Sequence, residues 1–314
     1  MLQDPFLTET LAFTALFIGG QGAGVLLILL SPRTQKSQQH YWLAAFIAVN
    51  CYSFMTEYFR YRGIAIPGFV YWPGFVYILE GAIFYFYVRS LVTPGFRLQA
   101  KHGVHLLPAL VVIGPTLGYT AGQDGQTIGY IGYLLYYTLL IAYAIAALRL
   151  LPDYNRLIRS HFSSIGDIEL DWLYKLILVY TLSSGVFLLL RILEFHSLIN
   201  DPNFQQVYVP NTLVYAVCFY FISVGGYLHR PVEDEALVGL EESESNADIT
   251  PESTNPDGDT VQLRDLIDYM NTHKPFLHDS LSLRQLAAGV ELSPHQLSQV
   301  LNEQAGQNFY EFVN

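Results

Sequence analysis

Charge is what this chain has least of. Only 14% of its 314 residues are Asp, Glu, Lys or Arg, against 52% hydrophobic, and the mean hydropathy is +0.29. Soluble domains carry about a quarter charged residues, so a wholly water-solvated protein is excluded and lipid must be the solvent for much of the length. Cysteine is nearly missing. Cys51 and Cys218 both fall in apolar runs, where a thiol acts as a small buried hydrophobe, so no disulfide is expected. No Lys or Arg precedes the first apolar run, which follows Met1-Leu-Gln-Asp-Pro and has Asp4 and Glu9 near its start. The basic opening of a cleavable signal peptide is therefore lacking, and that run is expected to stay as a span. Catalytic signatures are lacking too: there is no Gly-x-Ser-x-Gly, no His-Glu-x-x-His and no glycine loop ending in Gly-Lys-Ser/Thr, so neither an enzyme nor a cofactor is expected. His102 and His105 could share one helix face, but no nearby Cys or carboxylate completes a metal site. They read as interfacial histidines. The run 207–228 holds no Lys, which excludes a retinal Schiff base on it.

What is present is a series of long apolar runs, near 8–30, 41–61, 69–93, 104–121, 127–151, 172–196 and 207–228. Each is close to the roughly 20 residues that cross a bilayer. Turn-rich breaks such as Pro94-Gly-Phe-Arg and Asp201-Pro-Asn separate them. Cations concentrate in loop one (Arg33, Lys36), loop three (Arg97, Lys101) and loop five (Arg156, Arg159), with Arg230 after the last run. Short loops rich in Lys and Arg stay cytoplasmic, which puts the N-terminus outside and the C-terminus inside. Loop two, with Arg60 and Arg62, is the exception.

Charged residues within the runs count as functional candidates because lipid penalises them. Glu80 lies midway along the third run; Arg191 and Glu194 lie one helical turn apart near the outer end of the sixth. Two readings follow: Glu80 and Arg191 pair as a structural bridge, which is favoured, or they line a ligand cavity in the outer half. Glu57 lies near the outer end of the second run, close enough to water to need no special account. Aromatics reach 15% of the chain, with 23 Tyr and 20 Phe. Deep ones, among them Phe84, Tyr85, Phe86, Tyr87, Tyr133, Tyr136 and Tyr137, are read first as helix packing and second as the lining of a small-molecule pocket.

The acidity of the chain, net −11, sits in its tail: residues 1–230 hold 13 Lys+Arg and 11 Asp+Glu, residues 231–314 hold 3 and 16. Residues 231–260 are rich in Glu, Asp, Ser, Thr, Pro and Gly and cannot bury enough surface to fold. As a flexible coil they reach roughly 30 Å, a spacer that repels anionic lipid and DNA alike.

Beyond it the helical period returns with Val261, Leu263, Leu266, Ile267 and Met270. In the stretch 281–314, Ser282 can cap a helix that buries Leu283, Leu286, Ala287 and Val290. Ser293-Pro294-His295-Gln296 opens a second, with a capping serine, proline at the first position and glutamine at the third. Leu297, Val300 and Leu301 face the core, Ala305-Gly306 supplies a stop, and Phe309 and Phe312 begin another helix. Two short helices joined by a tight turn are a helix-turn-helix pattern.

Leu286-Ala287, then Leu-Ser-Pro-x-x-Leu-Ser at 292–298 and Gly-x-x-Phe-x-x-Phe-x-Asn at 306–314, resembles the first helix-turn-helix of AraC/XylS-type transcription regulators attached to multi-span membrane domains. The resemblance covers about a ninth of the chain. It implies that the second helix enters the major groove with His295, Gln296, Gln299 and Asn302 outward and Ser293 near phosphate; Gln and Asn suit the adenine edge. Three departures stand out. Glu291 takes a turn position where the family has Gly or Asn, so strain is expected there. Gln299 and Asn302 replace common cations. The family module has two helix-turn-helix units joined by a long helix, and the sequence given ends at Asn314 within what should be that helix, so either a fragment or a weak DNA binder is expected.

The expected architecture is all-α: a seven-helix membrane bundle at 1–230, an acidic flexible linker at 231–260, and the first part of an AraC-type domain at 261–314. The expected role is one-component gene regulation from a bacterial inner membrane. Promoter DNA, the lipid bilayer, a small-molecule or membrane signal and a second copy of the chain are its candidate partners. The rival reading is a membrane transporter or enzyme with a protein-interacting regulatory tail.

Overall fold

A computed structural model describes residues 5–32, 37–64, 74–93, 95–110, 125–166, 168–196, 201–229, 263–277 and 281–314. Among these the regular structure is helical and no strand occurs. Six long helices come first: α1 Pro5–Leu30, α2 Gln38–Tyr61, α3 Gly74–Val92, α4 Gly125–His161, α5 Asp171–Phe195 and α6 Asp201–Leu228. Four short ones close the chain: α7 Leu263–His273, α8 Leu283–Gly289, α9 Pro294–Val300 and α10 Phe309–Val313. A 3-10 segment, Ala100–Leu106, leads from loop three into the fourth apolar run; residues 111–121 of that run, like the linker 231–260, lie outside the described residues.

The described chain divides into two compact units, one of Met1–Leu150 with Trp172–Leu228 and one of Leu151–Asp171 with His229–Asn314. In the first, α1 shows why the helices bundle. Leu11, Ala12, Ala15, Ile18, Gly19, Gly22, Val25 and Leu29 form one buried stripe, the spacing that a 3.6-residue turn dictates. Its opposite face is apolar as well, with Phe13 and Leu27 at least 70% exposed, and Leu182, Leu189, Val217 and Phe221 repeat this on α5 and α6. A helix apolar on all sides belongs in hydrocarbon. Among the described residues four helices are long and apolar enough to cross a membrane: Pro5–Leu30, Ile131–His161, Asp171–Leu193 and Val209–Leu228.

In the second unit a small core joins Leu266, Met270, Leu281, Leu283, Leu286, Ala287, Leu297, Leu301 and Phe309. On α7 the buried face is Leu266 and Met270 with Leu263 beside them; Ile267 turns outward. Each short helix from α8 onward starts with a reciprocal capping box. The backbone N–H of Gln285 donates to Ser282 Oγ and that of Ser282 to Gln285 Oε1; Ser293 with Gln296 and Asn308 with Glu311 do the same. These satisfy end groups that helices of this length cannot satisfy internally. A π turn, Leu301–Ala305, prolongs α9 and ends at Gly306, whose φ of 65° is the left-handed stop that glycine adopts without strain.

Candidate functional sites: a buried carboxyl cluster and an exposed helical face

In the first unit Glu80 is the point on which polar side chains converge. It sits on α3 and is 1% exposed. Tyr215 (α6) donates its hydroxyl to Oε1 at 2.7 Å and Tyr180 (α5) to the same oxygen at 3.0 Å; Tyr136 (α4) donates to Oε2 at 2.8 Å. Asn50 (α2) approaches Oε1 with Nδ2 at 3.4 Å and also donates to Phe46 O at 3.0 Å, while its Oδ1 lies 2.6 Å from the Tyr215 hydroxyl. Five helices thus meet at one carboxyl group. Its partners are neutral donors, the arrangement a buried acid needs when water is excluded.

The surroundings keep the cluster closed. Tyr180 and Tyr215 pack with ring centroids 5.2 Å apart, Phe54 lies 5.9 Å from Tyr215, and Phe84 lies between Tyr180 and Phe46. Gly81 lets α3 approach α4, for a methyl group there would sit 3.0 Å from Tyr143 Cδ2 and 3.2 Å from the Leu140 backbone. Arg191 places its guanidinium carbon 4.9 Å from the Tyr133 ring centroid, a cation–π contact. Glu194 belongs to α5, and its side chain lies outside the described part. Sequence reading singled out Glu80, and Tyr136 among the deep aromatics, but missed Asn50, Tyr180 and Tyr215. The available signal was Asn50, an uncharged polar residue in the middle of an apolar run. A second polar join was also missed: Ser183 Oγ donates to Asn211 Oδ1 at 2.5 Å, and Asn211 Nδ2 to Ser183 O at 3.1 Å.

The histidines of loop three are part of an aromatic layer. His102 packs against Phe86 and Phe96, and His105 accepts or donates across 2.6 Å to the Tyr143 hydroxyl. The Gln99 backbone N–H donates to His102 Nδ1 at 2.9 Å, so that nitrogen must be unprotonated. Burial, with Arg89 and Lys101 nearby, lowers the His102 pKa in keeping with that role. No metal-holding group of three His, Cys, Asp or Glu occurs among the described residues.

In the second unit Ser293, His295, Gln296, Gln299 and Asn302 are all exposed on α9 and its π extension. Leu297 and Leu301 point into the core, which turns the polar residues to the opposite side. Gln299 Nε2 donates to Glu303 Oε1 at 3.0 Å, and Asn302 Nδ2 contacts Ser298 Oγ at 3.4 Å. Ser293 and Gln296 are engaged in the cap. Glu291, in the turn before α9, has φ 57°, in the left-handed region that costs a residue with a side chain.

The chain was compared with models of known protein families, with curated proteins and with solved structures, and none of the three gave a match.

Proposed function

We propose that the chain is a membrane-bound one-component transcription regulator, with the helical bundle as sensor and the C-terminal module as reader of promoter DNA. The observation that carries the reading is the pair α8 and α9. Both are short, both are capped by their own box, and they pack through Leu286, Ala287 and Leu297 while a row of amide and imidazole side chains is left in solvent. A protruding helix with Gln and Asn outward suits base edges in a major groove.

On this reading the chain crosses a bacterial inner membrane seven times and keeps its tail in the cytoplasm. The apolar runs and the cations of loops one, three and five support that orientation. The Glu80 cluster supports sensing in the bundle: a ligand or membrane state that shifts one of the five helices must break or remake a hydrogen bond to a shared carboxyl, and buried polar networks respond discretely to such changes. Glu80→Gln and Arg191→Gln are expected to alter signalling without loss of expression.

The test is selection of DNA by the full-length protein in detergent or nanodiscs. A sequence-specific site should emerge, and Gln299→Ala with Asn302→Ala should relax its sequence by at least about tenfold. Failure to enrich any sequence, together with substrate flux through the reconstituted bundle, would replace this reading with a carrier.

A further inference from the structure

The second unit contains more than the C-terminal module. It also includes Leu151–Asp171, the stretch that ends α4 and leads into α5. Four contacts join the two pieces. The Ser163 backbone N–H donates to Leu281 O at 3.1 Å, and Ser163 Oγ donates to the same oxygen at 2.8 Å. Phe162 and Ser282 pair as an isolated antiparallel bridge. Asn314 Nδ2 donates to Ser163 O at 2.9 Å. We propose that Leu151–Asp171 is a dock for the module, gripping it at the start of α8 and the end of α10 and leaving the α9 face free for a partner.

Each surface also has internal contacts of its own. On the dock, Asn155 Nδ2 donates to Asp171 Oδ1 at 2.8 Å, the Leu170 N–H donates to Asn155 Oδ1 at 2.9 Å, and Arg159 pairs with Glu169 and Asp171. Ile158, Ile165 and Leu170 are buried beneath the turn. On the module, Leu281 belongs to the core and Ser282 is the cap of α8. Every acceptor in the contact is a main-chain carbonyl, and the Ser163 N–H bond with the Phe162–Ser282 bridge fixes the register, while Ser163 Oγ and Asn314 Nδ2 add side-chain donors.

The contact also leaves the α9 face uncovered: Ser293, His295, Gln296, Gln299 and Asn302 are exposed with the dock in place. The dock therefore holds the module in a state able to meet DNA. This inference rests on the regulator reading only for its consequence, since the docking itself makes no use of DNA.

The experiment uses the full-length chain in native membranes, with a protease site inserted between residues 231 and 260. Paired residues across an antiparallel bridge lie about 4.5–5.5 Å apart, inside the roughly 4.4–6.8 Å that a disulfide spans. With Phe162→Cys and Ser282→Cys, mild oxidation should keep the two proteolytic fragments together on a non-reducing gel; Phe162→Cys with Gln299→Cys should release them. Equal linkage in the two pairs overturns the dock. A second variant avoids cysteine: Ser163→Pro removes the donating N–H and Oγ, whereas Ser163→Ala keeps the N–H. Protease release of the module from the membrane fraction, or its hydrogen exchange at 281–283, should rise at least about threefold in Ser163→Pro and by less in Ser163→Ala, which loses only the Oγ bond; identical behaviour of both variants counts against the dock. Linkage without any DNA selection would sink the regulator reading and leave the dock standing, and DNA selection without linkage would do the reverse.

Discussion

Tyr215 and Tyr180 both donate to Glu80 Oε1, but they are not equivalent. The Tyr215 hydroxyl also lies 2.6 Å from Asn50 Oδ1, so its removal strips contacts from two buried groups. Tyr180→Phe should cost about 1 kcal/mol, the net value of one hydrogen bond, and Tyr215→Phe about 1–3 kcal/mol because an acceptor is left unsatisfied. Thermal unfolding of the detergent-solubilised protein, followed by near-ultraviolet circular dichroism, should rank them in that order. Glu291 offers the opposite case. Its left-handed φ of 57° is a position for glycine, so Glu291→Gly should stabilise the second unit by about 0.5–1 kcal/mol. Slower hydrogen exchange in α8 and α9 would show it, and faster exchange would mean that the Glu291 side chain has a structural role. Glu80 and Glu291 were both visible in the sequence, one as a charge in an apolar run and the other as an odd residue in a turn. Tyr180 and Tyr215 were not, because a tyrosine in an amphipathic or apolar helix looks the same whether its hydroxyl meets lipid headgroups or a buried acid.

Helix ends were the most legible elements, since a capping box is written within four residues. Ser293 to Gln296 was read from the sequence, and the boxes Ser282–Gln285 and Asn308–Glu311 have the same spacing. Ser293→Ala should therefore cost about 1 kcal/mol and fray α9 first, visible as exchange at 294–297 before the rest of the unit. Faces were less legible than ends: Ile267 follows the helical period, yet the core takes Leu263, Leu266 and Met270 and leaves it 42% exposed. Two other starts use imidazole as the reciprocal acceptor. The Ser37 N–H meets His40 Nδ1 at 3.3 Å, and Gln99 N–H meets His102 Nδ1 at 2.9 Å. Burial lowers the pKa of both histidines. A depressed folded-state pKa means that the unfolded chain binds protons more readily, so this stability is present above about pH 6.5 and is lost as pH falls below it. Amide protection at 38–41 and 100–103, taken relative to the intrinsic exchange rate at each pH, should fall between pH 7.5 and 5.5, and His40→Asn, which keeps an acceptor in reach, should blunt the fall at the first of these.

At the scale of the whole molecule, the exception to the cation pattern has a structural counterpart. Arg60 pairs with Glu57, and Arg62 Nη1 lies 2.6 Å from Glu9 Oε1, so both loop-two arginines are held by carboxylates at their own end of α1 and α2. In the sequence these arginines stand without visible carboxylate partners across helices, because the approach of Glu9 to Arg62 across 53 positions depends on α1 packing against α2. The tail poses a different electrostatic question. It has only three cations, Arg264, Lys274 and Arg284, against 16 acids. If each met one phosphate, the logarithm of DNA affinity would fall with the logarithm of salt with a slope no steeper than about −3 per chain. Titration of full-length protein over 50–300 mM salt measures this, and a much steeper slope would require cations from the loops of the first unit.

The Glu80 cluster has a consequence for how the chain is made. On the seven-crossing reading, α3 is threaded into the bilayer when, of the four groups that finally surround its acid, only Asn50 has been synthesised. Tyr136, Tyr180 and Tyr215 follow 56, 100 and 135 positions later. Until they arrive, the translocon must deliver a span whose centre carries an acid costing about 2.5–3.5 kcal/mol to immerse. Asn50 would thus act as an assembly chaperone encoded in the preceding helix, and nascent chains bearing Asn50→Leu should stall or be degraded before the last span emerges.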